Sequence, residues 1–459
     1  MILLECGEGT GSRTFISAKD MPFQLTHVNL DTSYINGQDV LIKFSSLVLM
    51  EAFVSGATVR LQYELLRVCG NEDPVSIGTW MFEEVGSAPV VFESQEESFS
   101  FIFCESINCS QCCEYFVRVT PLEITGATTT VSNGRIAALS NTLNVERRLP
   151  KAKDILLVCG QENGSAIFRQ ATVSQPPVNV AHVAIDTSCL TGPKILIEFS
   201  SVIESAFRVQ DVRLEFELFR VCDDKEALSR GIWTFERKNT AVPSAIDNTF
   251  TFVFCDDIPC TGCCEYFVTV RAIELIVGAP AIYLGVTVDH ANLVAIAQLS
   301  DSDVRVYGKS IENKGKKTLM ECGSGTGSKV FTSSSDSAFQ LAHTTIDTTC
   351  LCKPIVNIEF SSILSFQQLV DQGRAQLRYE LFRVCDNREP MSIGVWIVGW
   401  IDFRIIDRST GVFDFTYCDC KTCVGCCDYF VEVTPIELTD GLITATVSNG
   451  RMAALAQSS

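Results

Sequence analysis

The stretch from Val59 to Leu65 alternates strictly. Val59, Leu61, Tyr63 and Leu65 are apolar, and Arg60, Gln62 and Glu64 between them are polar or charged. Successive side chains of a strand point to opposite faces, so this period of two predicts a half-buried β-strand. Similar runs lie at residues 24–30, 40–48, 77–82, 99–103, 115–119 and 128–139. Glycine, asparagine and proline punctuate them, and Ser132-Asn133-Gly134-Arg135 carries the Asn-Gly pair that favours a type I′ hairpin. With an opening strand at residues 2–6, the count is about eight short strands in about 140 residues. Helical periodicity persists nowhere for more than about a turn. The pattern predicts an antiparallel sandwich of jelly-roll type.

The whole pattern then recurs. Ile2-Leu3-Leu4-Glu5-Cys6-Gly7 returns as Ile155-Leu156-Leu157-Val158-Cys159-Gly160 and as Thr318-Leu319-Met320-Glu321-Cys322-Gly323. The segment from Tyr63 to Cys69 returns at Phe216–Cys222 and Tyr379–Cys385, followed by Gly78/Trp80, Gly231/Trp233 and Gly394/Trp396. The copies are offset by about 153 and 163 residues. The expected architecture is therefore all-β: three tandem antiparallel sandwiches at residues 1–141, 154–300 and 318–459, with linkers at 142–153 and 301–317. The linkers cluster bases: Arg147, Arg148, Lys151 and Lys153, then Lys309, Lys314, Lys316 and Lys317. They read as solvated connectors, or as arms that dock on acidic neighbouring sandwiches.

Composition narrows the function. The chain has 459 residues, 46% of them apolar, enough for a packed core and for about two to four domains. Its net charge of −19 repels phosphate backbones, which argues against nucleic acid as a partner. Only four histidines are present, few for acid–base catalysis. No stretch reaches the roughly 18 uninterrupted apolar residues of a membrane span. The start, Met1 to Cys6, lacks a basic region and cleavage site and reads as a first strand.

Cysteine is the outlier, with 22 residues. Six positions are shared by the copies: Cys6, Cys69, Cys104, Cys109, Cys112 and Cys113; then Cys159, Cys222, Cys255, Cys260, Cys263 and Cys264; then Cys322, Cys385, Cys418, Cys423, Cys426 and Cys427. Cys189 is added in the second copy, and Cys350, Cys352 and Cys420 in the third, giving tallies of 6, 7 and 9. If every thiol pairs, at least one bond must leave each odd domain. Cys189 and Cys350 occupy equivalent positions and are candidates for a bridge between domains or subunits, while Cys352 and Cys420 are candidates for each other. In the adjacent pairs, such as Cys112-Cys113, one thiol is expected to bridge within its sandwich while the other faces a neighbour. The alternative is zinc held by the four thiolates of Cys104-x4-Cys109-x2-Cys112-Cys113. Abundant cysteine suggests an oxidising destination. Without a leader in the sequence, three routes stay open: cytosolic metal binding, a missing leader, or release by lysis of the producing cell.

Other residues read as structural. His27, His182 and His343 precede Asp31, Asp186 and Asp347 by four residues, about 13 Å apart on one strand face and too far to share a metal. Arg67, Arg220 and Arg383 read as edge or interface charges, and Trp80, Trp233 and Trp396 as core. Gly7-Glu8-Gly9-Thr10-Gly11-Ser12 lacks the lysine and helix of a phosphate loop. No nucleophile–base set stands out, so the expectation is a protein that is not an enzyme, with no cofactor.

Residues Leu3–Gly11, Cys112–Val117 and Thr130–Leu139 resemble an uncharacterised Cys-rich domain family of anaerobic spore-forming bacteria. More distantly, the organisation is similar to that of endospore-appendage pilins. That resemblance implies jelly-roll subunits that stack by β-augmentation and lock by disulfides from an N-terminal arm. No arm precedes Ile2 here, which leaves the linkers or an upstream segment for that role. Together these readings give a disulfide-crosslinked structural subunit of an extracellular or spore-surface filament, partnered with itself and released by mother-cell lysis. The alternatives are a tandem carbohydrate- or cell-wall-binding module and a zinc-stabilised protein.

Overall fold

Each alternating run of the sequence is a strand in the computed structural model, which describes residues 2–31, 38–54, 56–86, 92–107, 112–141, 155–162, 164–169, 176–186, 193–205, 209–222, 226–239, 245–257, 263–277, 285–298, 318–349, 351, 353–368, 374–385, 388–401, 406–419, 425–439 and 442–458. The first repeat contains β1 (Ile2–Cys6), β2 (Glu8–Gly9), β3 (Arg13–Phe15), β4 (Phe23–Asp31), β5 (Gln38–Phe53), β6 (Thr58–Cys69), β7 (Val75–Gly86), β8 (Phe92–Ile107), β9 (Cys112–Thr125) and β10 (Thr128–Asn141). The second contains β11 (Ile155–Cys159), β12 (Gln161–Glu162), β13 (Ala166–Phe168), β14 (Val178–Asp186), β15 (Lys194–Ser205), β16 (Val209–Cys222), β17 (Leu228–Asn239), β18 (Ala245–Asp257), β19 (Cys263–Val277) and β20 (Val286–Gln298). The third contains β21 (Thr318–Cys322), β22 (Ser324–Gly325), β23 (Lys329–Phe331), β24 (Phe339–Asp347), β25 (Pro354–Gln368), β26 (Arg374–Cys385), β27 (Met391–Ile401), β28 (Ile406–Asp419), β29 (Cys426–Leu438) and β30 (Ile443–Ser458). The linkers, residues 142–153 and 301–317, lie outside the described residues.

Within a repeat the strands form two facing sheets. In the first repeat one sheet runs β1-β10-β5-β8 and the other β4-β9-β6-β7, with β2 added at the β4 edge and β3 on β10. All pairs are antiparallel, and this strand order is that of a jelly roll. The short β2 and β3, which the sequence reading missed, seal the corner near the opening strand. Packing follows the alternation: Val59, Leu61, Tyr63 and Leu65 are fully buried between the sheets.

The sheets do not stop at the repeat boundary. Strand β8 pairs with β17 of the second repeat, β18 pairs with β27 of the third, and β28 pairs with β7 of the first. Three ten-stranded sheets result, each shared by two repeats. Because the order runs first to second, second to third and third back to first, the sandwiches close into a ring with approximate threefold symmetry. β5, β15 and β25 face the centre of that ring, and they are buried along both faces, which explains their nearly continuous apolar runs. A separate apolar cluster unites equivalent positions of the three repeats: Leu4, Leu157 and Met320, with Leu139, Ile296 and Leu455.

Two expectations are corrected. Asn133-Gly134 does not turn a hairpin. It lies inside β10, where the register with β5 shifts between Ser132 and Arg135. Asn133 there has φ 51°, as do His290 and Asn449 at the equivalent points of β20 and β30. Asparagine tolerates this left-handed conformation, and the extra residue makes a β-bulge in a continuous strand. Arg67, Arg220 and Arg383 are not edge charges. They reach across their own sandwiches to Glu105 at 2.5 Å, Asp256 at 2.7 Å and Asp419 at 2.6 Å. Tyr266 and Tyr429 donate to the same two aspartates at 2.8 and 2.9 Å.

The Gly-x-Trp motif has a packing cause. Trp80, Trp233 and Trp396 are buried and stack on Phe101, Phe252 and Phe415 with ring centroids 3.7, 3.8 and 3.8 Å apart. A Cβ on Gly78, Gly231 or Gly394 would stand 2.4 Å from the indole two residues on.

Candidate functional site

The chemistry of this chain concentrates where the repeats meet. Six disulfides are formed among the described residues. Three lie within repeats and join neighbouring strands of one sheet: Cys69–Cys113, Cys222–Cys264 and Cys385–Cys427. The other three join repeats: Cys6–Cys255, Cys159–Cys418 and Cys104–Cys322, with Cα atoms 5.9, 5.8 and 5.9 Å apart. In each of these, the cysteine ending a repeat's opening strand reaches the β8-type strand of the next repeat. The bonds therefore follow the same circular order as the sheets.

These bonds decide between readings of the cysteine runs. In every repeat two of the four run cysteines, such as Cys104 and Cys113, are held in disulfides, so the run cannot supply four thiolates to zinc. The adjacent pairs divide by strand alternation. Cys113, Cys264 and Cys427 are buried and bridged inside their sandwiches, whereas Cys112, Cys263 and Cys426 are exposed. Cys109, Cys189, Cys260, Cys350, Cys352, Cys420 and Cys423 lie outside the described residues, and with them the suggested roles of Cys189, Cys350, Cys352 and Cys420.

Polar layers cross the ring centre between the apolar ones. Lys43, Glu198 and Glu359 occupy the same position in β5, β15 and β25, and all three are buried. The Lys43 ammonium donates to Glu198 and, at 2.6 Å, to Glu359. Burial pushes the Glu359 carboxyl up to about 7, helped by the charge of Glu198 and opposed by Lys43. Burial works against the Lys43 charge, but the two carboxylates outweigh it and its pKa is raised. The next layer holds Ser100, Thr251 and Asp414, again equivalent positions. The hydroxyls of Ser100 and Thr251 donate to Asp414 at 2.5 and 3.1 Å. Burial pushes Asp414 up to about 7, against the pull of those two donors.

Further along the junction, Glu84, Glu96, Glu97, Glu236 and Arg237 converge. Glu96 is pushed up to about 7 by burial and then by Glu236. Glu84 and Glu97 are both raised, mainly by burial, and burial lowers Arg237 to about 10 against the two glutamates. Between layers, the repeats exchange matching hydrogen bonds in the circular order. The N–H groups of Val253, Thr416 and Ile102 donate to Ser45, Ser200 and Ser361 at 3.0, 3.3 and 3.2 Å. These residues were not singled out from the sequence. A signal was present: one charged residue in the otherwise uncharged middle of a strand, Lys43, Glu198 or Glu359, at the same place in each copy.

His27, His182 and His343 sit on the outer sheet faces, paired in register with Phe116, Phe267 and Phe430. Among the described residues, no helix is long and apolar enough to cross a membrane.

A sequence profile described as "Domain of unknown function (DUF4489)" matches residues 1–141, 153–298 and 316–457. The chain belongs to the DUF4489 family, in three tandem copies. No curated protein matches this DUF4489 chain by sequence. Among solved structures, it is similar to the tandem CBM22-1 and CBM22-2 domains of Paenibacillus barcinonensis Xyn10C at 10% identity, covering 64% of this chain and 98% of that one with a TM-score of 0.18. It is also similar to an archaeal-virus structure described as a triple jelly-roll fold and turret assembly, at 8% identity, covering 97% and 91% with a TM-score of 0.15. Likenesses this slight carry no argument, and the jelly-roll assignment rests on strand order.

Proposed function

We propose that this chain is a structural, non-catalytic subunit: a prelocked block of three sandwiches for a disulfide-hardened filament or layer at the spore surface or outside the cell. The observation that carries the reading is the closed set of bonds between repeats, Cys6–Cys255, Cys159–Cys418 and Cys104–Cys322. A native disulfide typically contributes about 2–4 kcal/mol. Sandwiches of this size bury enough apolar surface to fold without such help, so six crosslinks favour persistence over mere folding. They also favour an oxidising destination.

Strand addition already joins repeat to repeat. Between chains, the same mode would use edges still open. Strand β2 covers β4 only opposite His27 and Thr26, and β12 and β22 cover β14 and β24 at the equivalent points. Among the described residues, no outer strand pairs with residues 28–30, 183–185 or 344–346. Exposed strand edges of this kind are templates for a further strand. The test is electron microscopy and sedimentation of the oxidised protein over a range of concentrations. Regular polymers or sheets are expected; a protein that stays monomeric throughout overturns the reading.

A second reading, a carbohydrate- or cell-wall-binding module, draws on the outer-face pairs Phe219–Phe267 and Phe382–Phe430, half-buried and stacked at 5.2 and 5.1 Å. The first repeat has Leu66 where the others have Phe219 and Phe382, so the platform is not threefold. Co-sedimentation with cell-wall polysaccharide, lost in Phe219→Ala with Phe382→Ala, would distinguish it.

A further inference from the structure

Between the Lys43 layer and the Asp414 layer lies a cavity of about 30 Å³, lined by Lys43, Glu198, Glu359, Ser100, Thr251 and Asp414 from all three repeats. It has room for one water-sized occupant. Three carboxyl groups meet one ammonium there. Both Glu198 and Glu359 spend an oxygen, Oε1, on Lys43. Asp414 is served by the hydroxyls of Ser100 and Thr251. The remaining oxygen of Glu198, Oε2, is buried and has no hydrogen-bond partner, although Glu198 is only 3% exposed and lines the cavity. A buried carboxylate oxygen left without a partner is costly, and a surplus of buried negative charge more so.

We propose that this cavity is a binding site for a single monovalent cation of potassium's size, held by Glu198 Oε2 on the ring axis. Three features select this chemistry. The lining offers oxygen atoms, which hard cations prefer to nitrogen or sulfur. The cavity matches an ion about as large as a water molecule. Burial holds Glu359 and Asp414 near half protonation at neutral pH, so with Lys43 charged the group carries about one net negative charge, which a single positive charge offsets better than a double one. Because the lining comes from every repeat, the bound ion would favour the closed ring over separated sandwiches, and stability would follow ion concentration by mass action.

The experiment uses the full oxidised chain. Crystals grown with thallium(I), a heavy stand-in for potassium, are expected to show an anomalous peak on the axis in contact with the Glu198 carboxylate. Absence of that peak, or a water molecule in its place, overturns the proposal whatever else is seen. In parallel, the melting temperature in potassium chloride should exceed that in tetramethylammonium chloride at equal ionic strength and rise with potassium concentration. Equal melting in the two salts also overturns it. Glu198→Gln, where it folds, should lose the potassium dependence while still closing its disulfides. The crystallographic readout on the unaltered chain stands if that variant does not fold.

Discussion

Cys104 of the first repeat is bonded to Cys322 of the third, 218 residues away, and that bond makes the closure of three sandwiches into a ring covalent. The two partners sit on the strand β8 and at the end of β21, which belong to different sandwiches and different sheets. Without this bond and its two counterparts, only the peptide linkers would join the repeats covalently, and the edge pairings, the polar layers and the shared apolar cluster would hold the rest.

Cutting the linker should therefore not release a repeat. With a protease site placed within residues 142–154, the cleaved, oxidised protein is expected to run as one species on a denaturing gel without reductant. With reductant it should separate into two. Cys6–Cys255 and Cys104–Cys322 are the bonds that hold the first repeat in place. Separation without reductant would contradict the ring.

Removing one bond between repeats should loosen the ring without unfolding each sandwich. Cys104→Ser with Cys322→Ser is expected to lose about 2–4 kcal/mol of stability, since each such bond closes a very long loop. The within-repeat bonds Cys69–Cys113 and Cys385–Cys427 should survive, as peptide mapping without reductant would show.

The junction carboxyls give the ring a preference for mild acid. Glu359, Asp414 and Glu96 have folded-state pKa values raised to about 7 by burial. A carboxyl raised in this way stabilises the fold fully below its unfolded value, and that contribution fades as pH climbs through about 7. Thermal melts are expected to fall between pH 5 and pH 8.5, by at most about 3 kcal/mol per group. A rise in melting temperature over that interval would refute the assignment.

Lys43 should be the most sensitive side chain at the ring centre. Lys43→Met leaves Glu198 and Glu359 facing each other without their shared cation, and breaking a buried pair of this kind costs about 3–5 kcal/mol. Restoring the melting temperature by adding Glu198→Gln and Glu359→Gln would show that charge, not volume, is responsible.

Gly231→Ala tests the tryptophan slot. The new methyl meets the Trp233 ring, and displacing it from Phe252 is expected to cost about 1–3 kcal/mol, with a change in near-ultraviolet dichroism.

The strands, the sandwich and the threefold repetition were legible because alternation and recurrence are local properties of the chain. So was the core position of Trp80, Trp233 and Trp396. The ring was not. Nothing in Cys6 says whether its partner is Cys104 in its own repeat or Cys255 in the next, because both stand at the same place in identical motifs. Asn133-Gly134 misled for a related reason: the pair reports a left-handed backbone, which a bulge inside β10 needs as much as a turn does. The charged layer was visible in part. Lys43, Glu198 and Glu359 put a charge into the middle of strands that are otherwise uncharged there and buried on both faces, a mark of burial against something beyond the repeat's own sandwich.

The sulfur bonds give any two sandwiches two covalent routes to each other, one directly and one by way of the third. Pulled from its ends, such a body passes tension through its bridges before its loops can pay out. It should behave under load as a stiff bead of nearly fixed length, where three sandwiches on a plain string would extend one after another.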